Sequence, residues 1–324
     1  MPKAIRIQKQ GGPEVMQWDD VQVGDPGPGE ARVRHKAVGL NYLDTYQRSG
    51  LYKIPLPAGM GNEGSGIVEA VGPGVTQVKA GDRVAYTGGP IGAYAEVRNM
   101  PADRLVVLPE GISFETGAAM MLKGCTATYL LRQTYKVKPG DTILFHAAAG
   151  GVGLIACQMA KAIGATVIGT VGSDDKAKLA RAHGCDHAIV YTRENFVERV
   201  KALTDGKGVP VVYDGVGKDT FMQSLDCLRP RGLMVSFGNA SGAVGPTDLG
   251  VLAAKGSLYV TRPTLNTYAA KREDLVELTK ELFDFVKSGK VKIEVNHKYP
   301  LKDAVQAHRD LESRKTTGSV VFIP

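Results

Sequence analysis

The residues best suited to chemistry lie in a short turn, residues 146–153, whose sequence is HAAAGGVG. The apolar run TILF precedes this turn as a predicted strand, and residues 154–163 follow it with helical apolar spacing up to Gly164. A helix N-terminus preceded by residues without bulk is an anion site, because its free N–H groups and its dipole face a phosphate. The pattern differs from the usual GxGxxG, but its place between a strand and a helix predicts dinucleotide binding at Gly150, Gly151 and Val152.

The chain shows two patterns of predicted secondary structure, one before this turn and one around and after it. Up to about residue 123 the pattern is β-rich, and short strands separated by Gly/Pro turns favour an antiparallel barrel or sandwich. The strands predicted there are 31–40, 66–71, 83–86, 94–97 and 105–108. From about Cys125 strands and helices alternate, which predicts a doubly wound parallel sheet, an α/β fold with its ligand crevice beyond the carboxyl ends of the strands. The strands predicted in it are 142–147, 166–171, 187–190, 209–214, 233–237 and 257–261, and the helices are 154–163, 175–183, 196–203 and 220–228.

The last part of the chain returns to longer, more polar elements. After Arg262 and Pro263, apolar residues with helical spacing run from Leu275 to Val286, and a second helix is predicted over 301–313 before a closing strand over 319–323. We therefore expect one domain formed by residues 1–124 and 263–324, with an inserted nucleotide-binding domain formed by residues 125–262.

Composition sets broad limits on the function. The chain has 324 residues, of which 43% are hydrophobic and 23% charged, as is usual for a globular enzyme of two domains. Its formal net charge of +7 suits an anionic ligand and permits weak nucleic-acid contact, but no Lys/Arg run concentrates it. The four cysteines form no CxxC pair and suit a reducing compartment. Since neither a signal peptide nor a membrane-spanning segment is recognisable, we expect a cytoplasmic protein with no membrane partner.

Longer stretches resemble a known family. Besides the glycine-containing turn they are GNEGSGIV at 61–68, GDRV at 81–84, NYLD at 41–44 and GLMVSFGN at 232–239. With the inserted-domain order and the length, they are similar to the NADPH:quinone reductases, the ζ-crystallin-like group of the medium-chain dehydrogenase/reductase superfamily. The resemblance covers essentially the whole chain. It implies a β-rich GroES-like catalytic domain, a Rossmann domain that binds NADPH, a quinone substrate and a homodimer.

The resemblance also bears on metal binding. Zinc alcohol dehydrogenases of this superfamily carry a cysteine in the segment that here is GLNY at 39–42, and a histidine where this chain has Asn62. Asn41 or its neighbours and Asn62 are not zinc ligands, so the ~3 protein ligands of a catalytic zinc are missing and we expect no metal. The HGCDH segment at 183–187 is interpreted as turn and core residues. Without zinc to polarise a carbonyl, an electrophile that stabilises negative charge itself, such as a quinone, is the better substrate.

The choice between NAD and NADP depends on the tip of the second strand of the parallel sheet. An acidic residue there accepts from the ribose 2′-hydroxyl of NAD. Here the tip has Gly172 and Ser173, followed by Asp174 and, in the first turn of the next helix, Lys176. The residues alone leave open whether Asp174 binds the ribose or Ser173 and Lys176 bind a 2′-phosphate. The resemblance favours the phosphate, because Gly172, Ser173, Lys176 and Tyr191 match the family's phosphate-binding positions, and it implies NADPH.

The other candidate residues are carried over from the resemblance. At the nicotinamide end they are Asn41, Tyr42, Asp44, Tyr46, Lys123, Thr126 and Tyr129; for the ribose–nicotinamide half they are Phe237, Gly238, Asn239, Ser241, Thr261 and Arg262, with Arg314 also directed at the cofactor. Hydride transfer to a quinone builds negative charge on an oxygen, so orientation and a hydrogen-bond donor should provide most of the catalysis. Tyr46 is the preferred donor, Asn41 is expected to orient the substrate or nicotinamide, and Asp44 completes the catalytic set. A purely positioning role for Tyr46 and Asn41 stays open.

Two other functions also stay open. A reductase of α,β-unsaturated ketones would use NADPH equally and would need no zinc. RNA binding, as a secondary activity of a different class, would show a strongly salt-dependent affinity. A homodimer is expected because the strand predicted over 257–261 would otherwise leave an exposed sheet edge, and the resemblance implies pairing around this segment.

Overall fold

A computed structural model describes all 324 residues. Its strands are β1 (Lys3–Ile7), β2 (Met16–Asp20), β3 (Glu30–Leu40), β4 (Ala58–Gly59), β5 (Glu63–Val71), β6 (Arg83–Thr87), β7 (Val97–Pro101), β8 (Val106–Val107), β9 (Thr142–Phe145), β10 (Thr166–Val171), β11 (His187–Val190), β12 (Val209–Asp214), β13 (Leu228–Ser236), β14 (Tyr259–Thr261), β15 (Val295–Pro300) and β16 (Ser319–Ile323). Its α-helices are α1 (Tyr42–Ser49), α2 (Phe114–Tyr129), α3 (Gly151–Ile163), α4 (Asp174–Ala182), α5 (Phe196–Leu203), α6 (Phe221–Leu225), α7 (Gly250–Ala254), α8 (Leu265–Tyr268), α9 (Arg272–Lys287) and α10 (Ala304–Glu312). None of these helices has the length and apolar character needed to cross a membrane.

The first of two compact units is β-rich and comprises Met1–Cys125, Ala269–Lys287 and Ile293–Pro324. A seven-stranded sheet has the order β15-β16-β3-β5-β6-β8, with β7 also paired to β3, and only the pair β15–β16 is parallel. A three-stranded antiparallel sheet, β2-β1-β4, completes the unit. Val33, Tyr86 and Phe322 are among the fully buried residues of its core. The predicted β-rich domain of short antiparallel strands is confirmed.

The second unit comprises Thr126–Tyr268 and Ser288–Lys292. Its six strands are all parallel and have the order β11-β10-β9-β12-β13-β14. Because helices cover both faces of such a sheet, its central strands are mostly apolar, and every residue of β12 is buried, including Asp214 at its end. The predicted doubly wound sheet is confirmed. Strand order reverses between β9 and β12, the place where ligands bind beyond the carboxyl ends of the strands.

Several predicted elements differ from the structure. The strand predicted over 94–97 is wrong, because β7 begins only at Val97, and Ala95 makes an isolated bridge to Ala4. The predicted strand over 257–261 is too long, since Ser257 has a left-handed φ of 55° and β14 starts at Tyr259. The long helix α2 gave no amphipathic signal because much of it is apolar or small, with Ala118, Met120 and Cys125 fully buried.

Candidate active site

The turn between β9 and α3 has the geometry of an anion site. Gly150 is the N-cap of α3, a helix of 13 residues, and no side chain caps it. Ala147 has a left-handed φ of 54°, and its carbonyl accepts a hydrogen bond from Gly150 N–H at 2.8 Å. A Cβ at Gly153 would lie 2.4 Å from the same carbonyl oxygen, so only glycine lets the helix start this close to the turn. The Gly150 N–H is thus used within the turn, whereas the predicted residues Gly151 and Val152 form the first turn of α3, where helix N–H groups have no partner within the helix.

Of the four residues predicted for a 2′-phosphate, Gly172, Ser173 and Lys176 follow β10, and Tyr191 follows β11, the strand paired with β10. Ser173 is the N-cap of α4, and its Oγ accepts a hydrogen bond from the Lys176 N–H at 3.3 Å. The Tyr191 hydroxyl lies so close to Gly172 that a Cβ there would be 2.9 Å from it. Tyr191 is 46% exposed and Ser173 is exposed, so the group is open to a ligand.

Asp174, the alternative ribose ligand, belongs to an ion pair. Its carboxylate accepts two hydrogen bonds from the Arg193 guanidinium, at 2.6 Å from Nη1 and 2.5 Å from Nη2. Both carboxylate oxygens are thereby used by one bidentate partner.

Arg262 organises the chain after β13. Its Nη1 donates to the carbonyl oxygens of Ser236 and Gly238, at 2.9 Å each, and to Ser236 Oγ at 3.2 Å. Thr261 lies beside it as the last residue of β14, paired with Val235 of β13. The Arg262 side chain therefore holds the backbone at the end of β13 and just after it.

The loop that contains Phe237, Gly238, Asn239 and Ser241 packs on the residues after β12. Ser241 Oγ donates to the Val216 carbonyl at 2.9 Å, and a Cβ at Gly238 would lie 2.3 Å from the Gly215 carbonyl oxygen. This close contact requires glycine at position 238.

Sequence reasoning missed Asp214, which ends β12. Its fully buried carboxylate accepts from Val216 N–H at 2.7 Å, Gly217 N–H at 3.0 Å and Thr220 Oγ1 at 2.7 Å. The available signal was an acidic residue that ends an otherwise apolar strand, followed by two glycines within three residues.

Two predicted residues of the same unit are buried in α2. Tyr129 is 2% exposed and stacks on Tyr268, with ring centroids 4.5 Å apart and planes 15° from parallel. Burial raises the pKa of Tyr129. Thr126 is 7% exposed. These contacts favour a packing role for Tyr129.

In the β-rich unit, Asn41 and Asp44 form the start of α1. Asn41 is the N-cap, and its backbone N–H donates to Asp44 Oδ2 at 2.8 Å. Tyr42 and Tyr46 follow on the same helix with rings 6.2 Å apart, and the Tyr46 ring meets Tyr52 edge to face at 5.4 Å. Tyr46 is only half-buried. Of the candidate catalytic residues, Tyr46 is thus the most accessible.

Glu63 is a second residue that sequence reasoning did not assign to the site. It is fully buried, and its Oε1 accepts from Lys123 Nζ at 3.0 Å and from Asn41 Nδ2 at 3.1 Å. The Leu122 N–H donates to its other oxygen. A Cβ at Gly39 would lie 2.0 Å from Oε1, so glycine makes the room for this carboxylate. The carboxylate therefore orients both Asn41 and Lys123.

Asn62 stands where zinc alcohol dehydrogenases carry a histidine, and its amide is committed to neighbours. Its Nδ2 donates to Asp44 Oδ1 and to Gln47 Oε1, at 2.6 Å each. Across the chain no group of three or more His, Cys, Asp or Glu side chains is placed to hold a metal ion.

A directed hydrogen-bond chain reaches Asp44 from α10. Because an arginine only donates, the contact of 3.0 Å from Arg48 Nη1 makes His308 Nδ1 the acceptor and leaves the proton on Nε2. His308 Nε2–H then donates to Tyr94 Oη at 3.1 Å, and Tyr94 O–H donates to Asp44 Oδ2 at 2.8 Å. The Glu312 carboxylate accepts from Arg48 Nη2 at 2.7 Å and from Nη1, the nitrogen that also contacts His308, at 3.0 Å. Since the guanidinium keeps its proton, the chain orients Asp44 and does not carry protons to it.

Burial controls the protonation of Asp44. Desolvation raises the pKa of Asp44 to about 6, against hydrogen bonds from Asn62, Tyr94 and Asn41 that lower it. Because its oxygens are enclosed by these donors, Asp44 is placed to position Asn41 and α1.

The stability that Asp44 contributes should fall as the pH rises. Its pKa of about 6 in the folded chain lies above the ordinary 3.8, so between these values the folded chain holds a proton that the unfolded chain has lost. This contribution is full below the lower value and is lost as the pH rises through the upper one. The free energy of unfolding of the wild type, minus that of Asp44→Asn, should therefore drop by about 1.4 kcal/mol between about pH 5 and 7.

The free energy of unfolding of the wild type is compared with that of Asp44→Asn because buried histidines change the stability with pH in the opposite direction. Burial lowers the pKa of His308 to about 3 and that of His35 to about 4, so their contributions to stability are lost as the pH falls below the ordinary 6.5. Urea denaturation followed by fluorescence of Trp18, the single tryptophan, reports on this unit. A difference that does not change with pH would mean that Asp44 is ionised throughout.

Arg314 shares a backbone acceptor with Tyr42, because the Tyr42 hydroxyl donates to the Leu311 carbonyl at 3.1 Å. It follows α10 with a left-handed φ of 61°, its N–H donates to the Leu311 carbonyl at 3.0 Å, and it is exposed.

Comparison with known proteins gives two matching family models. The alcohol dehydrogenase GroES-like domain matches residues 27–110, and the zinc-binding dehydrogenase model matches residues 151–283. The predicted combination of a GroES-like domain with a Rossmann-type parallel sheet is thereby confirmed.

Individual relatives match the entire chain. A quinone oxidoreductase of Pseudomonas aeruginosa is 58% identical over 325 residues, covering 100% of both chains. The crystal structure of Escherichia coli quinone oxidoreductase complexed with NADPH is 55% identical, with a TM-score of 0.98 over 99% of this chain and 100% of that one. A 2-haloacrylate reductase of Burkholderia sp is 48% identical and covers 100% of this chain and 99% of its own.

Proposed function

Because the chain belongs to the quinone oxidoreductase family of the medium-chain dehydrogenases/reductases, as its sequence resemblance indicated, we propose that it reduces quinones with NADPH and without a metal. The observation that carries this proposal is the combination of an uncapped, small-residue helix start after β9 with a second group, namely Ser173 and the half-buried Lys176 after β10 and the exposed Tyr191 after β11. Residues 125–262 form the proposed cofactor domain, and residues 1–124 with 263–324 form the proposed catalytic domain.

The residues present fit NADPH. The first turn of α3 would bind the pyrophosphate through backbone N–H groups, since no side chain caps this helix. Ser173, Lys176 and Tyr191 would bind the 2′-phosphate through a hydroxyl, an ammonium and a phenol. Phe237, Gly238, Asn239, Ser241, Thr261, Arg262 and Arg314 are proposed for the ribose–nicotinamide half. The NADPH-bound Escherichia coli relative supports this choice of cofactor.

NADPH supplies a hydride when it is bound. The half-buried Tyr46 hydroxyl is proposed to donate a hydrogen bond to the quinone oxygen on which negative charge develops. Asn41, held by Glu63, would orient the substrate or the nicotinamide, and Lys123, held by the same carboxylate, would lie beside Asn41. Asp44 is proposed to act as a positioning residue through Asn41. Tyr42, Thr126 and Tyr129 complete the proposed nicotinamide end.

The direct test is NADPH oxidation by the purified chain with a panel of quinones and activated alkenes. The relative named 2-haloacrylate reductase favours alkene reduction as the second candidate, since a haloacrylate is an alkene activated by a carboxylate. We expect kcat/KM for quinones to exceed that for enones and haloacrylates. The reverse order would assign the chain to alkene reduction.

Chelation should leave the activity intact. Asn62 is used to hold Asp44, Asn41 is held by Glu63, and no residue group is placed to bind a metal. After exhaustive treatment with EDTA, quinone reduction should proceed at the untreated rate. Stoichiometric zinc in the purified protein, lost together with turnover, would contradict the proposal.

We also propose a homodimer that pairs along β14. Tyr259 and Val260 of this edge strand are 62% and 40% exposed, and an exposed apolar edge favours pairing with a second chain. Sedimentation at micromolar concentration should give a dimer for the wild type. Tyr259→Lys should shift it toward monomer, and a monomeric wild type would remove this proposal. The four free, buried cysteines support the proposed cytoplasmic location.

A further inference from the structure

The ion pair of Asp174 and Arg193 adjoins the proposed 2′-phosphate site. Asp174 follows Ser173 as the first residue of α4, and Arg193 follows Tyr191 by two residues after β11. The two side chains are 61% and 58% exposed, yet they meet in a bidentate geometry with both oxygens and both terminal nitrogens used.

Without a positively charged partner, Asp174 would be an unsuitable neighbour for a phosphate. An ionised acid after the second strand accepts from the ribose 2′-hydroxyl of NAD and repels a 2′-phosphate by its charge. The hydrogen bond and charge of Arg193 hold the pKa of Asp174 below its ordinary value, so its carboxylate is ionised at neutral pH. Its negative charge is therefore present and needs a partner.

We propose that Arg193 determines the cofactor selectivity of this chain by holding Asp174 in the ion pair. The pair cancels the negative charge beside Ser173 and occupies both oxygens that would accept from a ribose. An acid at the position used for NAD recognition is thus made compatible with NADPH. Arg193 acts here as a positioning residue through Asp174. The inference rests on the proposed NADPH site and names the residues that set its selectivity.

The test is a double-mutant cycle read as dissociation constants of NADPH and NADH, titrated by cofactor fluorescence at low ionic strength. Arg193→Ala should raise the Kd of NADPH about tenfold, equivalent to about 1.4 kcal/mol, and leave the Kd of NADH unchanged or lower. Asp174→Asn should leave NADPH binding at least as tight as in the wild type. The double variant should return to within about twofold of Asp174→Asn, because no charge is left to compensate.

Arg199→Ala is the matched control. Its guanidinium is 50% exposed and pairs with Glu194 at 3.1 Å in the same unit, so its loss should change neither constant. High salt should shrink the effect of Arg193→Ala, since an exposed charge is screened.

Two results would overturn the inference. One is an unchanged ratio of the two constants after Arg193→Ala, whether both cofactors weaken equally or neither does. The other is a double variant as weak as Arg193→Ala alone, which would mean that Arg193 binds the phosphate directly. Failure of the NADPH proposal is distinguishable. In that case the wild type would bind NADPH no more tightly than NADH. If the wild type prefers NADPH but Arg193→Ala leaves the ratio of the two dissociation constants unchanged, only this inference is removed.

Discussion

Lys123→Met should lower the free energy of unfolding of the β-rich unit by about 3–5 kcal/mol, because it leaves a buried carboxylate without its cation. Lys123 Nζ lies 3.0 Å from Glu63 Oε1, and the two side chains are 7% and 0% exposed. The remaining donors to Glu63, the Asn41 amide and the Leu122 N–H, carry no charge. Urea denaturation followed by Trp18 fluorescence measures the loss.

Two further variants separate the buried charge from the loss of a lysine. Lys280→Met breaks an exposed pair with Asp284, 3.1 Å apart with side chains 76% and 64% exposed, and should cost no more than about 0.5 kcal/mol. Lys123→Met combined with Glu63→Gln removes both charges and should recover much of the stability. If Lys123→Met were as mild as Lys280→Met, the expected cost of leaving the buried Glu63 carboxylate without its cation would be contradicted.

Lys176→Ala should weaken NADPH binding ten- to a hundred-fold while leaving NADH nearly unaffected. A charge-assisted hydrogen bond to a phosphate contributes about 1.5–3 kcal/mol, and the proposed contact would form only with the phosphorylated cofactor. Ser173→Ala should act in the same direction but less, since a neutral donor contributes about 0.5–1.5 kcal/mol. The measurement is the ratio of the two dissociation constants.

Lys178→Ala is the control on the same helix. Lys178 is 77% exposed and pairs with Asp175 at 3.4 Å, so its removal should leave the ratio as it is in the wild type. Equal weakening of both cofactors by Lys176→Ala would make Lys176 a structural residue. No change in either constant would move the phosphate site elsewhere and remove the NADPH assignment.

The parts of the fold that were predictable from sequence are those built from consecutive residues. The turn before α3 was recognisable because strand, small residues and helix follow one another, and Gly153 packs on Ala147 only six positions away. The tip of β10 was recognisable for the same reason, since Ser173 caps the helix that contains Lys176. The helix α2 was missed because a nearly apolar helix has no polar face to give it a period.

The sequence by itself determined the fold class, the family and a helix start able to bind phosphate, because these depend on local spacing and on matched segments. Only the tertiary structure decided what the polar residues of the site do. Glu63 meets Lys123 from 60 positions away, and Arg48 meets His308 from 260 positions away. Such partners leave no periodic signal, yet they settle which carboxylate is paired, which imidazole nitrogen carries the proton and why burial raises the pKa of Asp44. The same holds for Asp174, whose effect on a cofactor depends on Arg193, an arginine that reaches it only when β10 and β11 lie side by side.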